Sequence, residues 1–159
     1  MKRTIAVGVV WLFVIVTGIL LGGSIFEGVV LTPMWSNNLP ESVRQWQYGG
    51  VQTTFFGFAT PLYGLLSIAM IAFSFGMPAS QKKWSLIAGV LGVAVIVMTF
   101  AFFLPILQQT EFNQGAGLSG DEITRLVTQF KTWHWGRWAT IAVSWLSGIR
   151  TLSLSATSD

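Results

Sequence analysis

Glu27, His134 and Arg137 are the residues of this chain best suited to chemistry. Glu27 ends a stretch without any charge that runs from Thr4 through Phe26. In a membrane an ionisable side chain is costly, so it marks a functional candidate that needs a named partner. His134 and Arg137 are three residues apart and share one helix face. A carboxylate beside a guanidinium can serve as an acid/base with an electrostatic anchor for a developing anion. A bland reading stands beside it: a buried ion pair that fixes helix register and is strongly destabilising to break. A third has the three groups snorkelling to separate water-exposed positions.

Other polar groups fall at the same level. Gln52 and Thr53 open the second apolar run, Thr99 lies near the end of the third, and Gln108 and Gln109 follow it, with Asn113 beyond. Trp138 adjoins Arg137. This set (Gln52, Thr53, Thr99, Gln108, Gln109, Trp138) is the expected ligand-binding lining. One histidine and one carboxylate fall short of the three or four ligands of a zinc site, so no metal is expected. No cofactor is expected either, with a single haem bond through His134 left open. The chain lacks the Walker, Rossmann, HExxH and GxSxG patterns. It also lacks cysteine, which excludes thiol catalysis and quinone-linked disulfide exchange.

Composition says what must position these groups. The chain has 159 residues, of which 52% are hydrophobic and 9% charged. Soluble domains carry about 25% charge, so this one is a membrane chain. Four runs are long enough to span a bilayer, at roughly 5–30, 52–75, 84–107 and 133–154. Met1-Lys2-Arg3 before an apolar run looks like a signal peptide, but the run exceeds the h-region length of about 7–15 residues. The expected architecture is all-α: a four-helix transmembrane bundle in a single domain, 1–159. Lys2, Arg3, Lys82, Lys83 and Arg150 fall on one side, and Arg44, Arg125 and Lys131 on the other. The positive-inside rule then puts both termini in the cytoplasm, in a bacterial inner membrane. The first helix runs outward and the fourth inward, so Glu27, His134 and Arg137 share one depth in the outer leaflet. The net charge of +3 comes from residues flanking the membrane and does not indicate a nucleic-acid partner.

The loops carry turn chemistry. Thr32-Pro33 ends or kinks the first helix. Asn38 can cap a short helix from Pro40 to about Tyr48, with Val43, Trp46 and Tyr48 on the membrane surface, and Gly49-Gly50 breaks it. Ser119-Gly120-Asp121-Glu122 fits a capping box from which a helix runs into the fourth span. Trp35, Trp46, Trp84, Trp133 and Trp135 stand at headgroup levels. Each span carries a stripe of small residues: Gly18, Gly22 and Gly23; Thr53, Gly57, Thr60, Gly64 and Ser67; Ser85, Gly89, Gly92 and Thr99; Arg137, Thr140, Ser144 and Gly148. Such stripes let membrane helices approach closely.

Three motifs carry a resemblance. Gly22-Gly23-Ser24-Ile25-Phe26-Glu27 with Pro33 beyond it, Phe102-Phe103-Leu104-Pro105, and Trp133-His134-Trp135-Gly136-Arg137 resemble the anthrone-oxygenase-like family of small four-helix membrane proteins. The resemblance covers most of the chain. A family Asn soon after the third-helix proline is replaced here by Gln108 and Gln109. The resemblance implies oxidation of an activated methylene of a polycyclic phenolic ketone by dioxygen, with no known prosthetic group. It implies Glu27 or His134 as base and Arg137 as enolate stabiliser. The leading reading is thus a membrane oxygenase-type oxidoreductase that takes a small, largely apolar or aromatic molecule. Two rivals stand against it: a non-enzymatic binding or assembly protein with a structural ion pair, and a small transporter subunit that works as a homo-oligomer.

Overall fold

The computed structural model describes residues 2–48, 50 and 52–156. Gly49 and Val51, read as part of the first loop, lie outside the described residues, as do the side chains of Lys2 and Arg3. In chain order the helices are α1 (Lys2–Phe26), α2 (Thr32–Ser36), α3 (Glu41–Arg44), α4 (Thr53–Ser74), α5 (Ala79–Met98), α6 (Leu104–Leu107) and α7 (Gly120–Ala156). No strand occurs among the described residues. Three π-helical turns, Glu27–Leu31, Thr99–Phe103 and Gln108–Phe112, keep the chain helical between and beyond these segments. Thr4–Ser36, Thr53–Ser74 and Ala79–Phe112 are therefore three helices long and apolar enough to cross a membrane, which marks an integral membrane protein.

The π turns explain why two of these helices run past their prolines. Proline has no N–H and its ring clashes with the carbonyl four residues back. Here the residue before each proline bonds five residues back instead: Thr32 N–H donates to Glu27 O, and Leu104 N–H to Thr99 O. Pro33 and Pro105 then follow without ending the helix. The expected stop or kink at Thr32-Pro33 is thus a widened turn, and the third apolar helix reaches Phe112 rather than residue 107.

Four long helices pack as a ring of neighbours, with α1 against α4, α4 against α5, α5 against α7, and α7 against α1. The small-residue stripes set these distances. A Cβ on Gly92 would stand 2.1 Å from Ser67 Oγ, and one on Gly89 would be 2.7 Å from Ser67 O. One on Gly148 would meet Phe13 at 3.0 Å, whereas one on Gly22 would meet nothing among the described residues within 4 Å. Tyr63 OH donates to Ser144 Oγ at 2.9 Å, and Ser144 Oγ to Ala88 O at 2.8 Å, which ties α4, α7 and α5 together. Outward-facing residues such as Trp11, Ile15, Phe58, Leu65 and Leu146 are apolar and exposed, as lipid contact requires.

The apolar interior has two parts. Phe13, Leu20, Tyr63, Met70, Val95 and Ile141 fill the body of the bundle. Trp35, Val43, Phe103, Ile123, Val127 and Phe130 fill the end that carries the two long loops. Trp35 and Val43 are fully buried there and Trp46 packs against them. The expected headgroup or surface position fails for these three because the loop folds over α7 instead of lying flat. The short helix is one turn, Glu41–Arg44, and Asn38 supports it through its backbone carbonyl, which accepts from Ser42 N–H at 2.8 Å. Trp133 and Trp135 do point outward.

Helix α7 begins at the expected capping box. Ser119 N–H and Oγ donate to Glu122 Oε2 at 2.9 and 2.8 Å, and Glu122 N–H reaches Ser119 Oγ at 3.3 Å. Its buried side is a seam of strict four-three spacing: Ile123, Val127, Phe130, His134, Arg137, Ile141, Ser144, Thr151 with Gly148 between the last two. Such a heptad pattern keeps one face on its neighbours along the whole helix. His134 and Arg137 occupy two seam positions where an apolar residue would otherwise stand.

Candidate functional site

The polar groups meet where the two apolar cores adjoin. Glu27, 2% exposed, opens the first π turn. Arg137 Nη2 donates to Glu27 Oε2 at 2.5 Å and to Ser24 Oγ at 3.1 Å. Its guanidinium carbon also lies 4.6 Å from the centre of the Phe103 ring, a cation–π contact. Ser24, one turn before Glu27, offers its carbonyl as well: Trp138 Nε1 donates to it at 3.0 Å, and His134 Nε2 lies 3.3 Å away. His134 Nε2 stands 3.8 Å from Glu27 Oε2. The imidazole packs between Phe103, Phe130 and Trp138. Gly28 makes this approach feasible, because a Cβ there would sit 2.4 Å from Trp138 Cζ2 and 3.0 Å from His134 Cδ2.

A cavity of about 350 Å³ adjoins the pair, within the range of small-molecule sites. Helix α4 supplies Thr53, Phe56, Gly57, Thr60 and Pro61, with Gln52 at its start. The third apolar helix supplies Thr99, Phe100, Phe103, Leu104, Leu107 and Phe112. Glu27 and Arg137 close the remaining wall. Pro61 brings no N–H into α4, so the Gly57 carbonyl on the cavity wall lacks its usual helical donor. The lining is mostly aromatic and aliphatic, with a few convergent polar groups, which is the composition of a site for a small apolar molecule.

Of the expected residues, Glu27, Arg137, Gln52, Thr53 and Thr99 face this cavity. His134 and Trp138 are absent from its wall and hold Ser24 instead. Gln108 and Gln109 are exposed, and Gln109 Nε2 bonds back to Pro105 O at 3.1 Å. The residue that sequence reading missed is Glu111. It is 2% exposed, and Gln52 Nε2 donates to its Oε2. The sequence did carry a signal for it: Glu111 follows Phe103 and Leu107 at four-residue intervals, on one helix face, once the helix is carried past Pro105. Among the described residues no group of three metal-ligating side chains occurs.

An all-α membrane protein with a buried carboxylate–guanidinium pair on the wall of a largely apolar cavity is the class these observations define. The chain belongs to the anthrone oxygenase family, whose model matches residues 51–147. That stretch holds Gln52, the Phe102–Pro105 motif, Glu111 and the His134-x-x-Arg137 pair, whereas Glu27 precedes it. No curated protein and no solved structure matches the chain.

Proposed function

We propose that this protein is a membrane-embedded oxygenase that binds an apolar, enolisable ketone in the cavity beside Glu27 and Arg137. The observation that carries the reading is the placement of this ion pair on the wall of an otherwise apolar cavity. Four membrane crossings with cytoplasmic termini put that cavity in the outer leaflet, where an apolar substrate enters from lipid. The family description points to an anthrone, in which a methylene lies between two aromatic rings opposite a carbonyl.

The chemistry follows from charge. Glu27 takes a proton from the methylene, and the negative charge moves to the substrate oxygen as an enolate. Arg137 loses an anionic partner at that moment and gains the enolate as a new one, so the charge it stabilises is moved rather than created. The enolate carbon then gives electrons to dioxygen. Overall a CH₂ becomes C=O, with one oxygen atom entering the product and the other leaving as water. The substrate loses four electrons and dioxygen accepts four.

The transport reading draws no comparable support. Phe13, Tyr63 and Met70, each fully buried, fill the bundle between this cavity and the other end of the molecule. The test of the proposal is oxidation of a phenolic anthrone by the purified protein in detergent, followed by oxygen uptake and by the quinone product. Turnover should exceed the detergent blank and fall at least about a hundredfold in Glu27→Gln. A folded protein that neither binds nor oxidises anthrone would overturn the reading.

A further inference from the structure

Glu111 and Gln52 form a second polar unit behind the cavity wall, apart from the Glu27–Arg137 pair. Glu111 is buried, and among the described residues no cation pairs with it. When ionised its carboxylate only accepts, and the Gln52 amide NH₂ donates to it. In that arrangement the amide oxygen points elsewhere. Gln52 is 7% exposed and lines the cavity, and among the described residues its Oε1 has no hydrogen-bond partner. A buried acceptor left unpaired is unfavourable, and a ligand donor would relieve it.

We infer that Gln52 is a specificity residue whose carbonyl oxygen accepts a hydrogen bond from a hydroxyl-bearing apolar ligand, and that Glu111 is the positioning residue that holds the amide in that orientation. The inference rests on the reading of this cavity as a ligand site. The cavity thus has two unlike poles. Arg137 favours an anionic or carbonyl oxygen, and Gln52 favours an O–H. A ligand that carries only apolar surface, or only acceptors, leaves Gln52 Oε1 unsatisfied and is selected against. Glu111 does not touch the cavity, so its effect passes through the amide.

The experiment uses two fluorescent probes that differ in one donor, 1-naphthol and 1-methoxynaphthalene, titrated into the full chain in detergent. The wild type should prefer the naphthol by roughly tenfold, the worth of one neutral hydrogen bond. Gln52→Met should bring the ratio near one while 1-methoxynaphthalene still binds. Glu111→Leu should also lower the ratio, because the amide is then free to turn its NH₂ toward the cavity. A merely structural Glu111 would weaken both probes alike and leave the ratio unchanged, which would overturn its positioning role. Should Glu111→Leu fail to fold, Gln52→Met still decides the specificity role, and Glu111→Gln replaces it for the positioning role. A wild-type preference for the methoxy probe, or an undiminished ratio in Gln52→Met, would overturn the inference while leaving the cavity as a ligand site. Binding of neither probe would overturn the inference together with the ligand-site reading.

Discussion

Removing the charge of Glu27 is the sharpest perturbation of this fold. Glu27 and Arg137 are joined at 2.5 Å, with side chains 3% and 7% exposed. Breaking a buried pair by removing one partner costs about 3–5 kcal/mol, because the other charge is left buried without compensation. Ser24 Oγ and the Phe103 face remain beside the guanidinium in Glu27→Gln, so the lower end, about 3 kcal/mol, is expected. For a chain of this length that corresponds to a fall in Tm of roughly 6–12 °C. Arg137→Met should be similarly destabilising, since it leaves the carboxylate buried. The double variant Glu27→Gln/Arg137→Met replaces the pair with groups of similar volume and should lie within about 1 kcal/mol of the wild type. Thermal unfolding of all four proteins in one detergent gives the coupling directly. Losses that simply add in the double variant, or a single-variant loss below about 1 kcal/mol as for an exposed pair, would refute the reasoning.

The other predictions concern packing, topology and pH. Gly92→Ala should destabilise by about 1–3 kcal/mol, because its Cβ would overlap Ser67; Gly22→Ala, with open space around it, should be neutral or better in the same melting assay. Gly57 lines the cavity with nothing among the described residues within 4 Å of a Cβ, so Gly57→Leu should fill it and block 1-naphthol binding with little change in Tm. Single cysteines at Ser80 and Ser119, introduced into a chain that has none, should label from opposite sides of the membrane; equal labelling from outside would refute the four-crossing topology. The backbone N–H of Ser119 holds the Glu122 carboxyl below the usual carboxylate range. A depressed folded value means that its stabilisation is present at neutral pH and is lost as pH falls through that value. Amide protection factors (exchange relative to the intrinsic rate at each pH) in the first turn of α7 should therefore fall on acidification in the wild type, and not in Glu122→Gln.

The helices and the meeting of three distant residues were readable in the sequence because each rests on a strong local signal. Long apolar runs have one solution in lipid. Opposed helix directions put Glu27 beside His134-x-x-Arg137, and the structure joins them. The capping box marked the start of α7 because Ser119 and Glu122 satisfy each other across one turn. The misses at the site have a common cause in the segments around the prolines. Reading Pro33 as a stop or a kink, and closing the third run at residue 107 just past Pro105, hid the π turns, truncated the third helix and sent Glu111 to the loop. That in turn left Gln52 without its partner and promoted Gln108 and Gln109, which face outward. Trp35 and Trp46 were misread because amphipathic rings suit a headgroup belt and a buried loop core equally well. Only the fold of the loop over α7 decides between them.

The paired π turns also bear on how this chain tolerates changes of length. A π turn takes up one extra residue within a helix without rotating the faces beyond it. Glu27–Leu31 and Thr99–Phe103 each stand six residues ahead of a proline, counted from their first member. A one-residue deletion inside either turn, made together with replacement of its proline, would restore an ordinary helix and leave both flanking faces in phase. The same deletion a few residues away, in Val10–Leu20 or in Gly89–Val95, would turn every later side chain by about 100°. In this chain, single-residue deletions are therefore expected to be tolerated best at these two turns, and only together with replacement of the neighbouring proline.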